Sequence, residues 1–99
     1  MSLFFITEEQ KNNIMQLLYR YVDDAKLEKY QHKKEMDYHE KLMDLIINHY
    51  QEYPLDWVDV FNRIQSKYEE HRKKYEDLCL TVTSLELNIE VLLYTEVIE

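Results

Sequence analysis

Four histidines, one cysteine and twenty acidic residues are the groups in this 99-residue chain that could do chemistry. His32 and His39 lie seven residues apart and so share a helix face, with Glu28 and Glu35 each one turn earlier. A carboxylate and an imidazole at i, i+4 meet on a helix surface, which reads first as ordinary charge pairing on a partly buried helix. A second reading stays open: a metal or pH-sensing cluster of His39, His71 and nearby carboxylates. Its signs would be zinc-dependent melting, or an oligomeric state that changes between about pH 5.5 and 7.5. No histidine has a glutamate three residues before it, so the ExxH signature of carboxylate-bridged di-iron bundles is missing, as is HExxH. Cys79 sits among Leu78, Leu80 and acids that do nothing to stabilise a thiolate, and reads as a buried structural thiol rather than a nucleophile. Being single, it cannot form an internal disulfide, which points to a reducing, cytoplasmic setting. The sequence therefore assigns no catalytic residue, no metal ligand and no cofactor, and the expectation is a protein that is not an enzyme.

The elements that position these groups follow from what the chain lacks. It has no glycine and one proline, whereas average proteins carry about 7% glycine at hairpin turns, helix C-caps and phosphate-cradling loops. Sandwiches, small barrels and Rossmann units are disfavoured together, and glycine-rich phosphate loops are ruled out. The length fits one domain over residues 1–99. With 45% hydrophobic and 32% charged residues the chain can fold, yet no apolar run approaches the roughly 18 residues of a membrane span. Leu3 to Ile6 is too short for a signal-peptide core and follows no basic segment. Residues 1–50 carry nine acids and seven bases, residues 51–99 eleven acids and five bases, and no base follows Lys74. Direct binding of nucleic acid is not expected from such a surface, because it needs Lys and Arg against phosphates.

Thr7 followed by Glu8, Glu9 and Gln10 predicts a helix N-terminus closed by a capping box. From there Met15, Leu18, Val22, Ala25, His32, Met36, His39, Met43, Ile46, Tyr50 and Tyr53 recur at three-and-four spacing around a charged interruption at Lys29. Charge dominates residues 23–31, so a first helix broken there is one expectation and an unbroken one the other. Pro54 should end that helix, and Asp56 is the expected N-cap of the next. Trp57, Phe61, Ile64, Tyr68, His71, Tyr75, Leu78, Val82, Leu85, Ile89 and Leu92 form a heptad seam in strict alternation, which predicts one helix of about 40 residues, roughly 60 Å long. The β-branched residues of the segment 80–99 leave a strand as the alternative, paired with Leu3 to Ile6.

The fold class expected is all-α: an antiparallel helical hairpin of two long helices, assembling into a helical bundle by oligomerisation. In such a hairpin residue i lies near residue 109 minus i, which brings His39 beside His71 and sets the basic run His71 to Lys74 against Glu35 to Glu40. A second apolar stripe, Leu80, Leu87, Val91, Tyr94 and Ile98, runs beside the seam of the last helix, and Leu17 and Tyr21 stand at the same end of the first. A two-helix hairpin buries one stripe per helix, so these seven residues form the candidate interface. Nine tyrosines suit boundary positions around a small core or an aromatic recognition patch near Tyr50, Tyr53 and Trp57.

Two partial likenesses can be placed on residues. Leu18, Tyr19, Arg20 resembles the tripeptide of the small mitochondrial LYR proteins, a basic family unlike this acidic chain. A chain of this length with Trp57 at a helix-hairpin turn is similar in outline to the WXG100 secretion substrates, although Trp57, Val58, Asp59 lacks their glycine. That outline implies a secreted helical hairpin and is the third functional expectation. The first is a small helical adaptor or regulator acting through helix–helix packing, as a homodimer or with another protein, and not at a membrane. The second is an acidic inhibitor, of the kind small phage proteins provide, that blocks the basic groove of a nucleic-acid-binding protein.

Overall fold

The computed structural model describes residues 6–52 and 56–97. Two α-helices, α1 (Glu8–His49) and α2 (Trp57–Leu93), lie antiparallel along an envelope of 72 × 21 × 15 Å, with a single 3-10 turn, Tyr50–Glu52, after α1. The turn expected at Pro54 lies outside the described residues. No described residue has positive φ, which is the backbone counterpart of a chain without glycine.

The N-terminus of α1 closes as its sequence predicts. The Thr7 amide donates to Gln10 Oε1 at 3.0 Å and the Gln10 amide donates to Thr7 Oγ1 at 3.1 Å, satisfying two donors that the helix itself leaves free. Asp56 occupies the N-cap position of α2 without capping through its carboxylate. Its backbone carbonyl instead accepts from the Asp59 and Val60 amides at 3.0 and 3.3 Å.

Both seams face inward in the predicted register. Val22, Ala25, Met36 and Ile46 of α1 and Val82 and Ile89 of α2 are buried, while Met15, Leu18, His32, His39 and Met43, and Phe61, Tyr68, His71, Tyr75 and Leu85, are half-buried along the same seams. The 3-4 alternation keeps one stripe of each helix on the other along the whole length.

Two alternatives left open by the sequence are closed, and one expectation is corrected. The helix α1 does not break at residues 23–31: Ala25 is buried, and Lys29 lays its stem along the seam with Nζ 5.8 Å from the centre of the Tyr75 ring. An ammonium over a tyrosine face keeps its charge favourably placed while its methylenes cover apolar surface, so Lys29 does the work of a seam residue. The segment 80–93 is helix rather than strand, and all that remains of the alternative is one isolated parallel bridge between Ile6 and Val97. Thr81 and Thr83 adapt to the helix by donating their hydroxyls to the carbonyls of Asp77 and Cys79, each at 3.0 Å. Finally, Arg72 to Lys74 form no ion pair across to Glu35 to Glu40, where only His71 comes near Glu35. Arg72 reaches Glu69 at 2.6 Å and Glu76 at 3.1 Å within α2, and every ion pair among the described residues joins positions three or four apart. Intrahelical acids lie closer to these long side chains than the opposite helix does.

Candidate functional site

Two places on the hairpin carry more than its packing requires: the open end, where the termini meet, and the histidine level at mid-length.

At the open end Leu80, Leu87, Val91 and Tyr94 line one face of α2 and are 56 to 82% exposed. Leu80 and Leu87 each stand two residues before a buried seam residue, Val82 and Ile89, which at about 100° per residue puts them nearly opposite the seam. The stripe thus lies behind α2 rather than beside its seam. Leu17 and Tyr21 of α1, 45 and 49% exposed, each precede a seam residue by one position and so occupy a flank, apart from the α2 stripe. Ile98 lies outside the described residues. A third exposed area joins Tyr19 and Leu93 in a shallow groove bordered by Asp23, Lys26, Glu86 and Glu90. Of the aromatic patch expected near the turn, Trp57 is half-buried, Tyr53 lies outside the described residues and the side chain of Tyr50 is not described.

This end is fastened by a residue that the periodicity did not single out. Lys11 Nζ donates to the carbonyls of Leu93 and Thr95, each at 3.2 Å, across to the C-terminus of α2. The last turn of α2 has no base of its own, so Lys11 supplies the cation that a helix C-terminus favours.

At mid-length, His32 and His39 from α1 meet His71 from α2. His71 stacks with His39, ring centres 5.7 Å apart and planes 28° from parallel, and its Nδ1 lies 2.9 Å from Nδ1 of His32. His39 Nδ1 donates to the Glu35 backbone carbonyl at 2.6 Å. Glu28 Oε1 lies 3.9 Å from His32 Nε2, and Glu35 Oε2 lies 4.0 Å from His39 Nδ1. Burial and the neighbouring His32 lower the pKa of His71, which favours the neutral ring, against an opposing pull from Glu35. The i, i+4 pairs read from sequence are therefore present, and so is the proximity of His39 to His71. The contact of His32 with His71 was missed, although its signal was there: both are seam residues, with His32 one heptad before His39 and His71 at the His39 level. Cys79 is half-buried and in no disulfide.

No family model, curated protein or solved structure matches the chain. Among the described residues no helix is long and apolar enough to cross a membrane.

Proposed function

We propose that this chain is a non-enzymatic protein–protein interaction module, a small helical adaptor or regulator that acts through helix–helix packing and pairs with a second copy of itself. The observation that carries this reading is the α2 stripe, four large apolar side chains more than half exposed on the face turned away from α1. Only six hydrophobic residues are buried among those described, and none of them completely. A hairpin of two helices has no second layer to cover such a face, and two hairpins packed stripe to stripe bring α2 against its copy, with each α1 on the outside of the row.

Glu86 and Glu90 flank Leu87 at the rim of the stripe, so the attraction between two copies has to come from the apolar side chains. Fully burying a leucine or valine contributes roughly 1.5 to 3 kcal/mol. The exposed halves of Leu80, Leu87 and Val91, counted on both copies, therefore contribute several kcal/mol before the entropic cost of association. The test compares Leu87→Asp and Val91→Asp with Glu86→Ala by sedimentation equilibrium. The two aspartates should dissociate the assembly by placing an unpaired charge in the stripe, and Glu86→Ala should leave it intact. Equal behaviour of all three would exclude the stripe as the interface. Binding to a basic nucleic-acid-binding protein that falls steeply with salt would favour the acidic-inhibitor reading instead.

A further inference from the structure

We propose that Glu35, His39 and His71 form a binding site for one divalent transition-metal ion of the zinc class, joining α1 to α2 at mid-length, with His32 positioning His71. One ligand atom from each of the three residues lies within 4.8 Å of the other two. Tetrahedral coordination at metal–ligand distances near 2.0 to 2.1 Å brings such atoms to roughly 3.4 Å, a closure that side-chain rotation supplies. Glu35 and His39 are one turn apart on the same face, the spacing at which a helix presents two ligands to one ion.

The hydrogen bonds set the imidazoles in the form a metal requires. With its Nδ1–H given to the Glu35 carbonyl, His39 keeps its lone pair on Nε2. Between two neutral rings that meet nitrogen to nitrogen, one donates and the other accepts. Glu28, beside His32 Nε2, favours the proton at that nitrogen, so His32 Nδ1 accepts from His71 Nδ1–H. The lone pair of His71 is then on Nε2. His32 thus stands to His71 as an outer partner of the kind that orients a metal-bound histidine.

The placement of these residues also calls for an explanation. His32, His39 and His71 occupy seam positions that α1 and α2 elsewhere fill with apolar or aromatic residues, Lys29 apart, and Met36 between the two α1 histidines is buried. The side chains of His32 and His39 are only 16 and 14% exposed, whereas Glu35 faces solvent and leaves an entry path. Two imidazoles and one carboxylate suit zinc, cobalt, nickel or copper and not the all-oxygen preferences of magnesium or calcium. Three protein ligands leave a coordination position for solvent.

The test uses the full chain, stripped with chelator and titrated with zinc chloride by calorimetry and with cobalt chloride by visible absorption. The expected result is one ion per chain and a cobalt d–d band. His39→Gln and His71→Gln should abolish the band and weaken zinc at least tenfold. His32→Gln should keep the stoichiometry and weaken zinc by about 10- to 100-fold, the range for lost outer-shell partners. His49→Gln, at the far end of α1, should bind as the unaltered chain does. Far-ultraviolet circular dichroism of each variant separates lost ligands from lost helix. No zinc binding by the unaltered chain, or binding that survives both His39→Gln and His71→Gln, would overturn the proposal.

Discussion

Replacing Lys11 by methionine removes the ammonium that spans the open end while keeping an unbranched stem of similar length. The carbonyls at the end of α2 can be followed one by one. Val91 O accepts from the Tyr94 amide at 3.2 Å and from Thr95 Oγ1 at 2.9 Å, and Leu92 O accepts from the Thr95 amide at 3.1 Å. Lys11 serves the carbonyls of Leu93 and Thr95. Both bonds are long and the Leu93 one is exposed, so each falls at the low end of the net range, about 0.5 to 1 kcal/mol. The favourable position of a cation at a helix C-terminus contributes about 0.3 to 1 kcal/mol, partly through the same contacts. The expected loss is about 1 to 2 kcal/mol for opening this end, a factor of roughly 5 to 30 in the local equilibrium. Amide hydrogen exchange read residue by residue is the assay. Tyr94 and Thr95 should lose that much protection in Lys11→Met, Val82 should change less, and Lys11→Arg should restore part of the effect. Unaltered exchange at Tyr94 and Thr95 in Lys11→Met would refute the assignment of Lys11 as the cap of α2.

Further predictions follow from the seam and the histidine level. Ile89→Ala should destabilise the hairpin by about 2 to 3 kcal/mol in chemical denaturation, the low end of the range for buried isoleucine because its surroundings are thin. Leu80→Ala, exposed on the outer face, should change stability by less than about 0.5 kcal/mol at concentrations where the chain is monomeric. In chelator-containing buffer the melting temperature should fall as the pH drops below about 6.5. A histidine whose folded pKa is depressed takes up its proton more readily unfolded, so its contribution is complete above the unfolded value and is lost as pH falls through the folded one. The groups facing His71 are His32, Glu35 and His39 across the seam and Glu70 on its own helix. In His71→Gln the fall should be shallower, and an identical pH profile in the two proteins would contradict the role given to His71.

Much of this fold was legible because it rests on one period. The 3-4 alternation from Trp57 to Leu92 fixed the inner face of α2 residue by residue, and the Thr7–Gln10 capping box is local enough to be read from four consecutive residues. Lysine was where the reading went astray. Lys29 looked like an interruption because a hydrophobic pattern counts its charge and not its methylenes, and the tyrosine that receives it comes from the other helix. Lys11 was passed over for a related reason, since its partners are backbone carbonyls 82 and 84 residues away and carry no sequence signal. The β-branched run from Thr81 to Val91 suggested a strand by propensity, yet it also carries Val82, Leu85 and Ile89, and burial along the seam outweighed propensity. Of the seven candidate interface residues, the six that are described are exposed, but their arrangement was not legible, because placing the stripe behind α2 and Leu17 and Tyr21 on a flank of α1 depends on which seam position each follows.

The central claim is that the exposed α2 stripe is a contact surface between two copies, and sedimentation velocity of the unaltered chain from about 1 to 100 μM, a range chosen to bracket an association worth about 5.5 to 8.2 kcal/mol, tests it most directly. A dimer that dissociates on dilution, with a melting temperature that rises with concentration, is expected. A monomer throughout the range, with a melting temperature independent of concentration, would contradict it.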